Sequence, residues 1–406
     1  MKKVCRFWFL MISFILLFII TIHHSPSTIH QINASQIYLD ITQPGIKKLT
    51  LAIEGFDKTP KIFETIKNNL EFTDYFKIYG PFPYRGEKFD PSLWKATDVE
   101  IVIRSDIQGK IIIKVFTVTS DSPIFVREYA PKDDENNGNL ISADIYRLLT
   151  GKEPPFFNRI IFLRKFKVST GIFISNWNGS HITDTGIRRE IISRAILKNN
   201  KVFFSSLQQN SWHIEVFDLS SKTSREIIKS KALLQLGDVI DDYRFIYLQN
   251  DGDISQIKTY EPSGKAKTLS ASRWIESSPR ILGNRVFFVS NRAGSPQIYE
   301  IQDSISIRRI TFQGRYNTEP SISPDGSKIA FSSLVGHFQI NILDLISNSQ
   351  TQITNQGNNE HPSFCPDGHF LTIMSDRRGK KELYLISIDG LVQKPLTIGY
   401  LPYCTR

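Results

Sequence analysis

The sequence predicts a small α/β N-terminal domain joined to an all-β six-bladed β-propeller. Three observations carry that prediction. Six short apolar segments, Arg159-IIFL, Lys201-VFFS, Arg244-FIYL, Arg285-VFFV, Lys328-IAFS and His369-FLTI, recur at steps of 42, 43, 41, 43 and 41 residues. A period of this size built from short strands is that of a propeller blade, and six repeats make six blades around a channel. Helical periodicity is confined to the stretch before residue 155, and only strand signals follow Phe156. The 406 residues also exceed what one ordinary core organises.

The N-terminus has the form of an export signal. Lys2, Lys3 and Arg6 precede an apolar run of 16 residues, and polar residues resume at His23. That run makes roughly 24 Å of helix, short of a comfortable membrane span. Residues 1–34 are therefore expected to be a signal peptide, with a retained anchor as the other reading. Cys5 lies before the apolar run and is not placed for lipid attachment. Removing residues 1–34 lowers the formal charge from +10 to +7. No Lys/Arg block of five or more occurs, so no nucleic-acid partner is expected. Cys365 and Cys404 then remain. An oxidising compartment would let them pair, but two free thiols are expected.

Residues 35–155 carry the α/β signals. Residues 36–41 read as an extended segment and residues 49–53 as a buried strand. Thr59-Pro60 opens a helix, Thr59 offering a cap and Pro60 filling the first turn. Ile62, Phe63, Ile66 and Leu70 give that helix one apolar face. Strands are expected at 76–79, 99–103, 111–118 and 124–129. A second helix is expected over 140–149, with Leu140, Ile141, Ile145, Leu148 and Leu149 inward and Gly151 as its stop. The acidic and amide stretch 133–138 before it reads as a solvated loop. Gly151-KEPP is the hinge, because proline disfavours both helix and central strand.

Residues 156–406 carry the blades. The last three are clearest, and in blades 5 and 6 Pro324-Asp-Gly and Pro366-Asp-Gly turns join the first and second strands. Proline pre-sets φ there, aspartate bonds the backbone ahead and glycine takes positive φ. Blade 4 substitutes Leu282-Gly-Asn, and blades 1 to 3 rest on spacing alone. Asn250-Asp-Gly-Asp reads as a hairpin turn, since it lacks the distal glutamate of a calcium loop. Trp212, Trp274, Phe287, Phe331 and Tyr384 read as filling between blades.

Catalytic motifs are missing from the sequence. There is no G-x-S-x-G elbow, no H-E-x-x-H and no glycine-rich phosphate cradle after a strand. The adjacent pair His23-His24 falls in the segment expected to be removed. The chain is expected not to be an enzyme and to need no cofactor or metal.

The signal, the small α/β domain, the Pro-Pro hinge and blades with S-P-D-G turns together resemble the TolB family, periplasmic propellers of the Tol-Pal system. Residues 37–56, 94–107 and 145–163 resemble family segments in the expected order. The resemblance implies a non-enzymatic periplasmic adaptor that serves envelope integrity and cell division. It implies a TolA-like inner-membrane partner for the first mature residues, Gln36, Ile37, Tyr38, Leu39, Asp40, Ile41, Thr42 and Gln43. Their alternation of apolar and polar residues suits strand addition to a sheet edge. Unbound, the same residues would tuck against the domain interface. It implies a Pal-like lipoprotein, docked over the channel, for rim residues just before the first strand of a blade, here in three blades: Glu276, Ser277 and Ser278, Asn317, Thr318 and Glu319, Asn359, Glu360 and His361. Membranes are reached only through these partners. The family closes its ring with a C-terminal strand; here the chain has only Leu401-PYCTR and no Pro-x-Ser-Pro stretch, so weak closure is expected. The rival reading is a propeller that takes a small ligand or glycan in its channel as a sensor or transport accessory. A hydrolase with an unrecognised site is a third.

Overall fold

The computed structural model describes residues 47–130, 132–302 and 306–406. The signal segment and Gln36–Gln43 lie outside the described residues. The α/β domain has strands β1 (Leu49–Glu54), β2 (Phe76–Phe82), β3 (Ile101–Ile107), β4 (Ile111–Thr117) and β5 (Phe125–Tyr129), with helices α1 (Pro60–Phe72) and α2 (Asp134–Thr150). The sheet order is β2-β1-β3-β4-β5. β1 runs parallel to β2 and β3, and the β3-β4-β5 edge is antiparallel. α1 makes the crossover from β1 to β2 and packs with α2 on one face of the sheet, while the β2–β3 crossover brings Phe89 and Trp94 onto the other.

Both helices follow their apolar faces, but their starts differ from expectation. In α1 the predicted Ile62, Phe63, Ile66 and Leu70 are all buried and Pro60 stands in the first turn. Thr59 does not cap it: its side chain makes no capping bond, and its buried Oγ1 has no partner. α2 begins at Asp134, so stretch 133–138 is helix and not a solvated loop. The reason is local: Asp133 accepts a hydrogen bond from Asn136 N at 2.9 Å, and Asp134 and Glu135 lie on the favourable end of the helix dipole. Gly138 permits the approach of α1, since a Cβ there would stand 2.5 Å from Thr65 Cβ. Gly151 ends α2 at φ +68°. Leu140 and Leu148 are only partly buried.

Six four-stranded antiparallel sheets follow. Five are built from consecutive strands. Blade 1 combines Arg159–Lys165, Thr170–Asn176 and Thr183–Arg189 with Tyr400–Thr405 from the far end of the chain. Each repeated segment opens, or directly precedes, the second strand of its blade. The inner strands around the channel are Ile191–Lys198, Leu233–Val239, Glu276–Leu282, Asn317–Ile322, Asn359–Phe364 and Tyr400–Thr405. Phe287, Phe331 and Tyr384 fill the spaces between sheets as expected.

The ring closes more firmly than the sequence implied. Tyr400, Tyr403, Cys404 and Thr405 pair with Leu163, Ile161, Ile160 and Arg159. Cys404 is disulfide-bonded to Cys365, so the two thiols are not free. The closing strand lies beside the inner strand of blade 6, where Cys404 N donates to Ser363 Oγ at 3.1 Å, and this adjacency brings the sulfurs together. On its other side Thr405 Oγ1 donates to Leu197 O of blade 2 at 2.9 Å.

The α/β domain rests on blades 6 and 1. Ile66, Leu70 and Phe156 share one core with Trp177, Phe370, Leu383 and Val392. Trp177 Nε1 donates to Asn69 Oδ1 at 3.3 Å, and Asn158 Nδ2 donates to Asp367 Oδ2 at 2.6 Å.

Candidate partner face and channel

Antiparallel blades divide the loops between two faces. Turns joining first to second and third to fourth strands lie on one side; links between blades and between second and third strands lie on the other. Trp177 and Val392, which share a core with the α/β domain, and Asp367, which bonds Asn158 just past the hinge, all belong to the first set. The face made by the inter-blade links therefore stays clear of that domain, and the nine predicted rim residues sit where their strands leave it.

Those nine fall into two groups. Glu276, Asn317 and Asn359 are buried at 2%, 0% and 0% exposure. Glu276 accepts from Ser272 Oγ and Arg292 Nη2, and burial pushes its carboxyl above the usual range. Asn317 donates to Gln297 Oε1 and Gln313 O. Asn359 donates to Gln339 Oε1 and accepts from Arg377 Nη2. Each of the three hydrogen-bonds a strand of the preceding blade, so they tie neighbouring blades together and present no side chain to solvent. Ser278 is also buried, while Ser277, Thr318, Glu319, Glu360 and His361 are half-buried at the channel entrance.

The same bulge recurs at that entrance. Ser278, Glu319 and His361 have φ of 52°, 56° and 55°, and each precedes a proline. Ladder register shifts at each of the three. Leu401, before Pro402, has φ 50° and the same shift. The closing strand thus reproduces the bulge of the other inner strands without a Pro-x-Ser-Pro stretch.

The bulges place side chains across blade boundaries. Ser278 N donates to Gln235 Oε1, Ile281 N to Asp238 Oδ2, His361 N to Glu319 Oε2 and Phe364 N to Ser321 Oγ, all at 2.8 to 3.0 Å. Glu319 also lies 2.6 Å from His361 Nδ1 and accepts from Ser332 Oγ. Burial pushes Glu319 up, but the charge and hydrogen bonds of His361 outweigh it and hold the carboxyl below its ordinary value. Burial and then the adjacent Glu319 hold Glu360 above its own. Ligand atoms of Glu319, Glu360 and His361 come within 4.8 Å of one another, the one such group with metal-ligand spacing among the described residues. Both Glu319 oxygens are already engaged by His361 and Ser332, so protein contacts account for the cluster.

Sequence reasoning missed the apolar part of this face. Trp274 and Ile275, just before the inner strand of blade 4, are 51% and 68% exposed, so Trp274 is not inter-blade filling. Phe312 and Tyr316 before blade 5, and Leu334 and Val335 on its second strand, are exposed as well. The available signal was position: large apolar residues directly before an inner strand, where the chain emerges onto a loop.

Opposite this face the channel widens into a cavity of about 590 Å³ bounded by Arg194, Asp238, Arg280 and Tyr403. A second cleft of about 940 Å³ lies between the α/β helices and blade 1, lined by Phe72, Phe156, Trp177 and Lys394 among others. No helix of the described residues is long and apolar enough to cross a membrane.

Comparison with known proteins agrees with this architecture. A curated TolB homolog of Chlorobaculum tepidum is 29% identical over 121 residues, covering 29% of this chain and 28% of that protein. The Tol-Pal system protein TolB of Desulfosudis oleivorans is 31% identical over 125 residues, covering 30% and 28%. These matches span less than a third of either relative. The crystal structure of TolB from Acinetobacter baumannii superposes with a TM-score of 0.80 over 89% of this chain and 98% of that one, at 20% identity, a likeness of fold. A family model described as the TolB beta propeller domain matches residues 146–399, well over half of the sequence, and the chain belongs to the TolB family.

Proposed function

We propose that this chain is a non-enzymatic periplasmic adaptor of the Tol-Pal system, holding a Pal-like lipoprotein on its inter-blade face and a TolA-like inner-membrane protein through residues 36–43. The observation that carries this reading is the inter-blade face itself. It is clear of the α/β domain, and it sets exposed Trp274, Ile275, Phe312 and Tyr316 beside a polar entrance of Ser277, Thr318, Glu360 and His361. An apolar patch with a polar border is the anatomy of a protein interface. The disulfide suits an oxidising compartment such as the periplasm.

The domain cleft supports the second half of the proposal. Lys48, which leads into β1, and Lys394, which lines the cleft, both pair with Asp74, at 2.5 and 3.1 Å. Lys48 therefore stands at the edge of the cleft, and residues 36–43 are proposed to dock in it. Docked there the segment is withheld; released, it offers a strand to a partner's sheet edge. Deleting residues 36–43 is expected to abolish binding to the TolA-like protein and to spare the lipoprotein, measured by calorimetry against each. Loss of both would assign the segment to folding instead.

A further inference from the structure

The face opposite the proposed partner site carries a second recognition chemistry. The cavity at that end of the channel is bordered by the side-chain cations Arg194, Lys198, Arg280 and Arg406 and, among the described residues, by the single side-chain carboxylate of Asp238. Counting a main-chain carboxylate at Arg406 still leaves the cations in excess. We propose that this end of the channel binds a small oxyanion, a phosphate or carboxylate group, between the guanidinium groups of Arg194 and Arg280.

The geometry shows why Asp238 does not complete the site. Its Oδ2 accepts from Ile281 N at 3.0 Å. Its Oδ1 lies 3.5 Å from Arg194 Nη2 and 4.0 Å from Arg280 Nε, both beyond good hydrogen-bond length. One carboxylate thus serves two guanidinium groups loosely. Backbone carbonyls fix their orientation: Arg194 Nε donates to Gly237 O and Arg280 Nη1 to Pro279 O, each at 2.9 Å. Each guanidinium has five N–H donors in a planar fork suited to oxyanions, so several donors on each exceed these contacts. Arg280 is more than nine-tenths buried, and a buried charge needs a partner close at hand. Burial and then the charge of Arg280 hold Arg194 down to about 10, an effect that Asp238, Tyr403 and Glu319 only partly offset. A cavity of about 590 Å³ has room for a small organic anion.

The test is thermal melting and calorimetry of the full chain with inorganic phosphate and, separately, with citrate, at ionic strength balanced by sodium chloride. A saturable rise with phosphate alone identifies a phosphoryl site, with citrate alone a carboxylate site, and with both a general oxyanion site. R194Q and R280Q are each expected to weaken binding at least about tenfold. D238N keeps both arginines and an oxygen for Ile281 N while removing the competing charge, so it is expected to tighten binding several-fold. A rise matched by sodium chloride, no rise with either anion, or D238N binding no tighter than the parent overturns the proposal.

Discussion

Cys365 and Cys404 are joined by a disulfide that spans 39 residues of sequence and fastens the closing strand of blade 1 to the inner strand of blade 6. The closing strand has four ladder partners, so the covalent link supplements a short hydrogen-bonded seam. Loop-closure entropy for a link of this span is worth about 4 kcal/mol in the chain-entropy account. Reduction is expected to lower the melting temperature markedly, and C404S is expected to melt low with or without reductant. Equal melting of reduced and oxidised protein would show that hydrogen bonding alone closes the ring.

Asp367 gives the fold a pH dependence. Burial pushes its carboxyl from 3.8 up to about 6, against hydrogen bonds from His369 N, Phe370 N and Asn158. The folded state then keeps a proton that the unfolded chain releases across that window. Its contribution to stability is greatest below the unfolded value and falls as pH climbs, by up to about 3 kcal/mol once pH passes the folded value. D367N removes this cost, and Asn158 can turn its amide to present an oxygen. Urea titrations at about pH 4 and about pH 7 should show the variant gaining on the parent as pH rises. A constant difference between the two would exclude Asp367 as the source.

Arg104 and Glu54 form an ion pair in the α/β domain with side chains 3% and 2% exposed and Nε 2.8 Å from Oε2. R104M leaves the buried carboxylate with only the more distant Arg85, whose Nε lies 3.7 Å from Oε1, and is expected to cost about 3 kcal/mol. E54M/R104M should recover much of that loss. A double variant as unstable as the sum of the two single ones would mean that the charges act independently.

Trp274 tests the partner face without disturbing the fold. Because it is exposed, W274A should change stability by no more than about 0.5 kcal/mol, while binding of the Pal-like lipoprotein weakens at least about tenfold. E319Q is the contrast: it weakens the acceptor of His361 and should lower stability along with binding. Unchanged affinity in W274A would move the contact away from blade 4.

The period of the apolar segments made the six blades legible, and Pro-Asp-Gly turns fixed the register of the last two. Helix boundaries were less legible, because the Asp133 cap and the Asp134 start are short-range polar choices within a sequence that also suits a loop. The disulfide was hidden because Cys404 belongs to blade 1 in space although it follows blade 6 in sequence. The nine proposed rim residues lie where the inner strands leave the inter-blade face, but Glu276, Asn317 and Asn359 are buried there, and a bulge re-aims Glu319 and His361. Arg194 and Arg280 carry no motif at all; only ring closure brings them to one cavity.

Completion of the first blade by residues 400–405 has a consequence during synthesis. A product terminated anywhere before Tyr400 leaves the inner edge of Arg159–Lys165 without its neighbour, a bare row of amides and carbonyls next to unfilled apolar space. Molecules lacking that strand would offer the bare edge to other chains, so the seam also guards the ring against aggregation.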